Sequence, residues 1–124
     1  MFDKASVPDL SEFKGEYLVD MVTGLPSLRV FSHRKVFALR EGVVVGHNVL
    51  FGGLRWGGFF MEYADHGPSK VAVINYDRPG NTFITKKIRD HVRCMTKGAL
   101  YLGRFNYLCA GRPRFLGYFV LEKG

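Results

Sequence analysis

Short apolar segments, each ended by a turn-type sequence, recur along almost the whole chain. The segments are four to ten residues long, which suits strands better than helices. Most connections contain Gly, Pro, Asp or Asn, the residues that tight turns favour. The predicted strands cover residues 16–22, 28–31, 35–40, 43–51, 54–63, 70–76, 86–95, 99–108 and 114–122.

The pattern predicts an all-β fold, a small antiparallel up-and-down β-barrel of eight or nine strands. Sequential strands with short connections form a meander, and closure removes its exposed edges. A short helical turn, Pro8 to Gly15, is expected before the first strand. Gly52-Gly53 between two apolar runs indicates a hairpin, because the tight hairpin turns need positive φ angles.

The segment Thr82–Met95 fits two structures. Ile84, Ile88 and Val92 recur at helical spacing, whereas Ile88, Val92 and Cys94 also fit the alternation of a strand. We favour a strand over about 86–95, because Thr96-Lys97-Gly98 would then form a tight turn.

Length and composition indicate one domain, residues 1–124. A chain of 124 residues with 47% apolar and 15% aromatic residues can bury one core and is not disordered. We see no repeat and no linker-like stretch that would divide it.

The sequence predicts a soluble, cytoplasmic protein. The most apolar stretch, residues 42–61, contains His47, Asn48 and Arg55, which a membrane span would hardly tolerate. The N-terminus lacks the layout of a secretion signal. Cys94 and Cys109 are not expected to pair, because the register of their hairpin places them far apart, and two free thiols suit a reducing compartment.

Positive charge is concentrated in one part of the chain. The net charge is +7, and the segment Arg78–Arg114 holds nine Lys and Arg residues against one acid, Asp90. A surface built from this segment would attract anions. The alternative is a solvated basic face that only favours solubility.

Two hairpin registers follow from the turns. Around Gly52-Gly53, Val49 would face Trp56, His47 would face Gly58 and Val45 would face Phe60, on the more apolar face. In the last hairpin Gly103 would face Phe119, and Phe105 would face Gly117. Glycine beneath a cross-strand aromatic ring is typical of sharp bends in barrels.

The segment Phe13-Lys14-Gly15-Glu16-Tyr17 resembles the start of a calycin barrel, the superfamily of lipocalins and fatty-acid-binding proteins. There a short helix leads into an aromatic-x-Gly-x-Trp stretch, and Tyr17 stands at the tryptophan position. The resemblance implies a late arginine packed across that aromatic ring, either Arg104 or Arg114. The middle lipocalin motif and the Arg-x-Tyr pair of fatty-acid-binding proteins are not recognisable.

His47 is the first candidate for function, because a lone imidazole on an apolar face can be a hydrogen-bond partner, an axial haem ligand or a general base. A satisfied structural histidine is the alternative. Aromatic side chains predicted on the barrel's inner wall would prefer apolar ligands, or simply pack as core. They are Trp56, Phe60, Tyr101, Phe105 and Phe119.

Two polar residues complete the candidate ligand site. Asn75 alternates with Val71 and Val73, so it is expected to point inward with them and to need a partner. Arg104 would anchor an anion if its face of the strand is the interior, because guanidinium binds a carboxylate bidentately. The basic cluster 89–93 is either a solvated strand face or a portal for anionic ligands.

Three hypotheses for function remain open. The first is a lipocalin-like protein that binds a small, largely apolar, anionic molecule in the barrel. The second is a small biosynthetic enzyme of cyclase, isomerase or decarboxylase type that uses His47 or a tyrosine. The third is a nucleic-acid-binding module that uses the basic segment with Tyr101, Phe105 and Tyr107. No zinc, nucleotide or serine-hydrolase motif is present, the sequence specifies no cofactor, and association into a homodimer stays open.

Overall fold

A computed structural model of the chain describes residues 6–21, 33–50, 53–66 and 69–123. The described part of the chain forms eight strands: β1 Gly15–Met21, β2 His33–Arg40, β3 Val43–Val49, β4 Arg55–His66, β5 Ser69–Asn75, β6 Ile88–Thr96, β7 Leu100–Cys109 and β8 Arg112–Lys123. Each strand pairs antiparallel with the next, and β1 pairs with β8, so the sheet closes into a barrel. The predicted all-β, up-and-down barrel is confirmed.

The ambiguous segment holds a short helical turn and then a strand. Residues Thr85–Lys87 form a 3-10 turn, and β6 begins at Ile88, close to the expected start. The predicted strand at 28–31 lies outside the described residues, as do Phe51 and Gly52 of the predicted hairpin.

The predicted helical turn before β1 is a 3-10 turn, Leu10–Glu12. Asp9 and Glu12 form a capping box: the Asp9 side chain accepts a hydrogen bond from the main-chain N–H of Glu12, and the Glu12 side chain accepts one from the main-chain N–H of Asp9. The Tyr101 hydroxyl donates to Glu12 Oε2 at 2.6 Å, so the turn is tied to the barrel interior.

Antiparallel order gives the barrel two distinct ends. We call one the plug end; it carries the 10–12 turn and the connections at 41–42 and 97–99. The opposite, or loop, end carries the connections β3–β4, β5–β6 and β7–β8. The two free cysteines lie near opposite ends, Cys94 buried and Cys109 exposed.

Aromatic rings fill the interior along the barrel axis. Near the plug end, the ring centroids of Phe13 and Tyr101 lie 4.5 Å apart. The series continues from Phe13 to Phe37 at 5.3 Å and from Phe37 to Phe59 at 5.3 Å. It reaches Tyr76 near the loop end, 5.4 Å from Phe59. The space that a lumenal ligand would need is therefore taken by side chains along this line.

The last hairpin has the predicted register. Gly103 pairs with Phe119, and Phe105 pairs with Gly117. A Cβ atom on Gly103 would lie 2.1 Å from the Phe119 ring, so only glycine lets that buried ring lie across the strand.

The register predicted between β3 and β4 is right only in part. Val45 pairs with Phe60 as expected, but Trp56 pairs with Asn48 and not with Val49. The reason is a bulge, in which Gly57 and Gly58 together oppose His47. Gly57 has a φ of 61°, the left-handed conformation that a glycine bulge uses.

Among the described residues, no helix has the length and apolar character that crossing a membrane would require.

Candidate functional site

Three arginines line one open pocket on the barrel wall. Arg40 comes from the end of β2, Arg55 from the start of β4 and Arg78 from the β5–β6 connection. The pocket has a volume of about 500 Å³, and none of the described residues that line it is acidic. Its remaining lining residues are Val36, Ala38, Val45, Gly46, His47, Trp56, Gly57, Gly58, Pro79, Gly80 and Asn81.

Two glycines that line the pocket, Gly46 and Gly58, have different roles. A Cβ atom on Gly46 would lie 2.2 Å from the Val36 carbonyl oxygen and 2.6 Å from the buried Phe59 ring, so the packing of the barrel requires glycine there. At Gly58, by contrast, the nearest atom to such a Cβ is 3.9 Å away. Gly58 therefore leaves space that belongs to the pocket and not to the packing of the barrel.

The connection that follows β5 forms one side of the pocket and is fixed to the barrel. The Asn81 side-chain amide donates to the carbonyl oxygens of Gly58 and Tyr76, both at 2.7 Å. Arg78 donates to the Phe59 carbonyl oxygen at 3.3 Å. These bonds hold the cationic side of the pocket in place before any ligand arrives.

His47 lies in this pocket, half-buried on the outer face of β3. Its Nδ1 is 3.3 Å from Nη2 of Arg55. Since a guanidinium only donates, Nδ1 accepts and Nε2 carries the ring proton. Burial and the neighbouring Arg55 charge lower the pKa of His47, so its ring is neutral at pH 7 and can donate through Nε2.

Trp56 joins the pocket to the barrel interior. It is 36% exposed and stacks on the buried Tyr76, with 6.3 Å between centroids and an interplanar angle of 15°. In a regular strand Trp56 and Phe60 would lie on the same face of the sheet. The bulge at Gly57 and Gly58 puts them on opposite faces.

Beneath Trp56, the interior contains a buried polar cluster. Lys35 Nζ donates to Asn48 Oδ1 at 2.7 Å and to the Tyr76 hydroxyl at 2.5 Å. The Asn48 amide donates to the Tyr76 hydroxyl at 3.1 Å and to the Gly57 carbonyl oxygen at 3.3 Å. Gly57 therefore contacts the cluster and also lines the pocket.

Asp90 is the acidic partner of Lys35 inside the barrel. Burial raises the pKa of Asp90 to about 7, while the Lys35 charge and the main-chain N–H of Asn106 lower it. Burial lowers the pKa of Lys35 to about 8, and the Asp90 charge opposes that shift. Oδ1 of Asp90 is buried without a hydrogen-bond partner among the described residues.

Next to the arginine pocket lies a second open depression of about 600 Å³. It shares Arg40, Val45 and Arg78 with the first pocket and adds Glu41, Val43 and Phe60. The two depressions therefore form a continuous surface along β2, β3 and β4.

The predicted ligand residues divide between the two faces of the barrel. Tyr101 and Phe119 are buried in the core, and Phe105 packs against it, as the inward prediction requires. Their ring contacts and hydrogen bonds are those of packing residues. Of the other candidates, His47 and Trp56 line the arginine pocket and Phe60 lines the neighbouring depression.

Asn75 does not point inward. It shares the outer face with Val71 and Val73, which form a small cluster with Leu102 outside the barrel. Its amide donates to Glu62 Oε2 at 2.6 Å, and its Oδ1 accepts from the Asp77 N–H at 2.9 Å. The prediction failed because both faces of β5 are buried, so alternation did not reveal which one faces in.

Arg104 is also on the outer face, with its guanidinium 4.6 Å from the centre of the Phe115 ring. It lies outside the pocket, so it does not anchor an anion there. The cation over the Tyr17 ring is Lys123, at 4.9 Å, and not Arg104 or Arg114. Lys123 Nζ also donates to the Lys14 carbonyl oxygen at 2.6 Å.

Sequence reasoning missed the arginines of the pocket and the buried cluster. Lys35 could have been found, since it alternates with Phe37 on the inward face of β2. The arginines come from three separate parts of the chain, and no motif connects them. Among the described residues, no three His, Cys, Asp or Glu side chains gather closely enough to hold a metal ion.

Fold and pocket together define a small closed antiparallel barrel with a cationic pocket on its wall. Comparison of the chain with protein-family profiles, with curated proteins and with solved structures gave no match.

Proposed function

We propose that the protein binds a small, largely apolar organic anion in the arginine pocket. The observation that carries the proposal is the charge of the pocket: Arg40, Arg55 and Arg78 line it, and the described lining includes no acid. Three cations around one concavity produce a positive potential that concentrates anions.

The lining matches a ligand with a charged and an apolar part. Guanidinium groups bind carboxylate or phosphate oxygens with two parallel hydrogen bonds, and the neutral His47 offers a further donor. The indole of Trp56 and the side chains of Val36 and Val45 provide apolar contact. Burial of that apolar part contributes about 25 cal/mol per Å².

We further propose that the barrel is calycin-like. Support comes from the short turn before β1, the buried Tyr17 on β1 and the cation of Lys123 on β8 packed over its ring. We propose that the ligand binds on the wall of the barrel, between Arg40 at the end of β2 and Arg55 at the start of β4, since aromatic rings fill the interior.

Binding can be measured with 8-anilinonaphthalene-1-sulfonate, an aromatic anion that fluoresces in apolar surroundings, and with oleate. Trp56 is the single tryptophan, so its fluorescence reports directly on the pocket. We expect both probes to change it. Arg55→Gln should weaken binding at least about tenfold, since one charge-assisted hydrogen bond contributes about 1.5–3 kcal/mol.

Gly58→Leu should abolish binding without unfolding the protein, because Gly58 lines the pocket and a Cβ atom there would lie 3.9 Å from the nearest atom of the barrel. Arg112→Gln is the matched control: it removes the same charge from an exposed site outside the pocket. Equal affinity of Arg55→Gln, Gly58→Leu and wild type would exclude this pocket. Displacement of the probe by single-stranded nucleic acid alone would favour the nucleic-acid hypothesis.

A further inference from the structure

The loop end of the barrel presents large apolar side chains to solvent. Phe83 is 75% exposed and Ile84 is 68% exposed, side by side on the β5–β6 connection. Leu54, on the β3–β4 connection at the same end, is 64% exposed. Phe83 and Ile84 do not contribute to the core, so packing does not explain why two large apolar residues are exposed side by side.

The β5–β6 connection is ordered by its own hydrogen bonds. Thr82 makes two hydrogen bonds to the turn that follows it: its Oγ1 accepts from the Thr85 N–H at 3.1 Å, and its carbonyl oxygen accepts from the Lys86 N–H at 3.0 Å. Arg89 donates to the Lys86 carbonyl oxygen at 2.6 Å. The part of the connection that carries Phe83 and Ile84 is therefore ordered before it binds anything, so little conformational entropy is lost when it docks.

Basic side chains surround this tip. Among the described residues of the three loop-end connections and the adjoining strand ends, the one exposed acid is Asp77, which lies 3.9 Å from Arg89. Asp90, on β6, is buried in the barrel. Lys87 Nζ is 4.2 Å from the centre of the Phe83 ring, so cation and apolar tip are directly adjacent. The basic residues are Arg55, Arg78, Lys86, Lys87, Arg89, Arg112 and Arg114.

From this arrangement we propose that the loop end docks on the surface of an anionic lipid bilayer. Phe83, Ile84 and Leu54 enter the boundary between headgroups and acyl chains, while the surrounding lysines and arginines contact the negative headgroups. On a single-stranded nucleic acid the bases stack on aromatic rings, so the aliphatic Ile84 and Leu54 favour a bilayer over a single strand as the partner. The apolar residues come from two loops at the same end of the barrel, Leu54 from one and Phe83 with Ile84 from the other, and this arrangement suits a flat bilayer surface.

This proposal does not depend on ligand binding in the arginine pocket. The two are nevertheless adjacent, because Arg55 and Arg78 belong to both the pocket and the loop end.

Co-sedimentation with vesicles tests the proposal. We expect the protein to bind vesicles of phosphatidylcholine with phosphatidylserine, to bind pure phosphatidylcholine vesicles far more weakly, and to dissociate as salt rises. Replacing Phe83 and Ile84 by Ser should weaken binding at least about tenfold. Lys86→Gln should weaken it about fivefold.

Leu39→Ser is the matched control. Leu39 is 67% exposed, like Ile84, but lies beside the 41–42 turn at the plug end, so its loss should leave vesicle binding unchanged. All of these positions are at the surface, and the thermal unfolding of each variant checks that the barrel remains folded.

Three results would overturn the proposal. They are failure of the wild type to bind phosphatidylserine vesicles at low salt, an equal loss in Leu39→Ser, and unchanged binding after the Phe83 and Ile84 replacements. If a single-stranded oligonucleotide binds this end and the apolar replacements have no effect on that complex, the end is a nucleic-acid surface instead.

Discussion

At the scale of single residues, Asp90 and Lys35 make stability depend on pH in an unusual way. The folded protein keeps the Asp90 proton up to about pH 7, whereas the unfolded chain loses it near 3.8. The free energy of unfolding should therefore fall as pH rises through that window. Lys35 loses its proton near pH 8 when folded and near 10.5 when unfolded, so stability should rise again above 8.

We expect a minimum of stability near pH 7 to 8, measured by urea unfolding at pH 5.5, 7.5 and 9.5. Asp90→Asn should remove the fall between the first two, worth roughly 1–3 kcal/mol. The histidines titrate in both proteins, so their effect cancels in the difference between the free energies of unfolding of wild type and Asp90→Asn at each pH. A fall of the same size in Asp90→Asn would show that another group causes it.

A second residue-scale prediction concerns Gly103 beneath Phe119. Gly103→Ala should lower the free energy of unfolding by about 1–3 kcal/mol, because the new methyl group overlaps a buried ring that has no room to move. Chemical denaturation measures the loss. Gly58→Ala is the control and should be within about 0.5 kcal/mol of wild type, since its methyl group would lie 3.9 Å from the nearest atom, an ordinary van der Waals contact.

The Gly103→Ala variant can be rescued if the ring is the cause. Combined with Phe119→Leu, it should cost less than the sum of the two single substitutions. Additive costs would locate the problem in the backbone of β7 and not in the contact with Phe119.

At the scale of elements, Asn81 holds the β5–β6 connection against the barrel. Asn81→Ala should free residues 77–87, lower stability by about 1–2 kcal/mol and weaken binding of the naphthalene sulfonate probe. Amide hydrogen exchange checks the cause: protection should fall in this connection and stay unchanged in β7. A uniform loss of protection would contradict a local clamp.

The bulge in β4 explains why the ends of the strands are easier to predict from the sequence than the face of the sheet on which each side chain lies. The turns around Glu41-Gly42 and Thr96-Lys97-Gly98 fix where the adjoining strands begin and end to within a few residues. A bulge changes which face a side chain lies on without changing the apolar pattern, and the pair Gly57-Gly58 looked like ordinary strand glycine. The alternation along β4 therefore predicts Trp56 and Phe60 on one face, whereas the bulge between them puts them on opposite faces.

At the scale of the whole molecule, the barrel was predictable and the pocket was not. Strand spacing along the chain determines an up-and-down order almost uniquely, because neighbouring strands pair locally. The pocket joins Arg40, Arg55 and Arg78, whose meeting depends on the path of the β5–β6 connection over β4. The basic segment 78–114 indicates a surface that attracts anions, but it contributes only Arg78 to the arginines of the pocket, and most of its charge lies at the loop end.

The pairing of β1 with β8 also has a consequence for biosynthesis. The sheet has no free edge only when residues 112–123 are in place beside β1. Until β8 has been synthesised and has paired, β1 and β7 each have an unpaired edge, on which another nascent chain can add. Crowding on a polysome is therefore the stage at which this protein is most exposed to intermolecular association, and a chaperone that shields β1 would act just there.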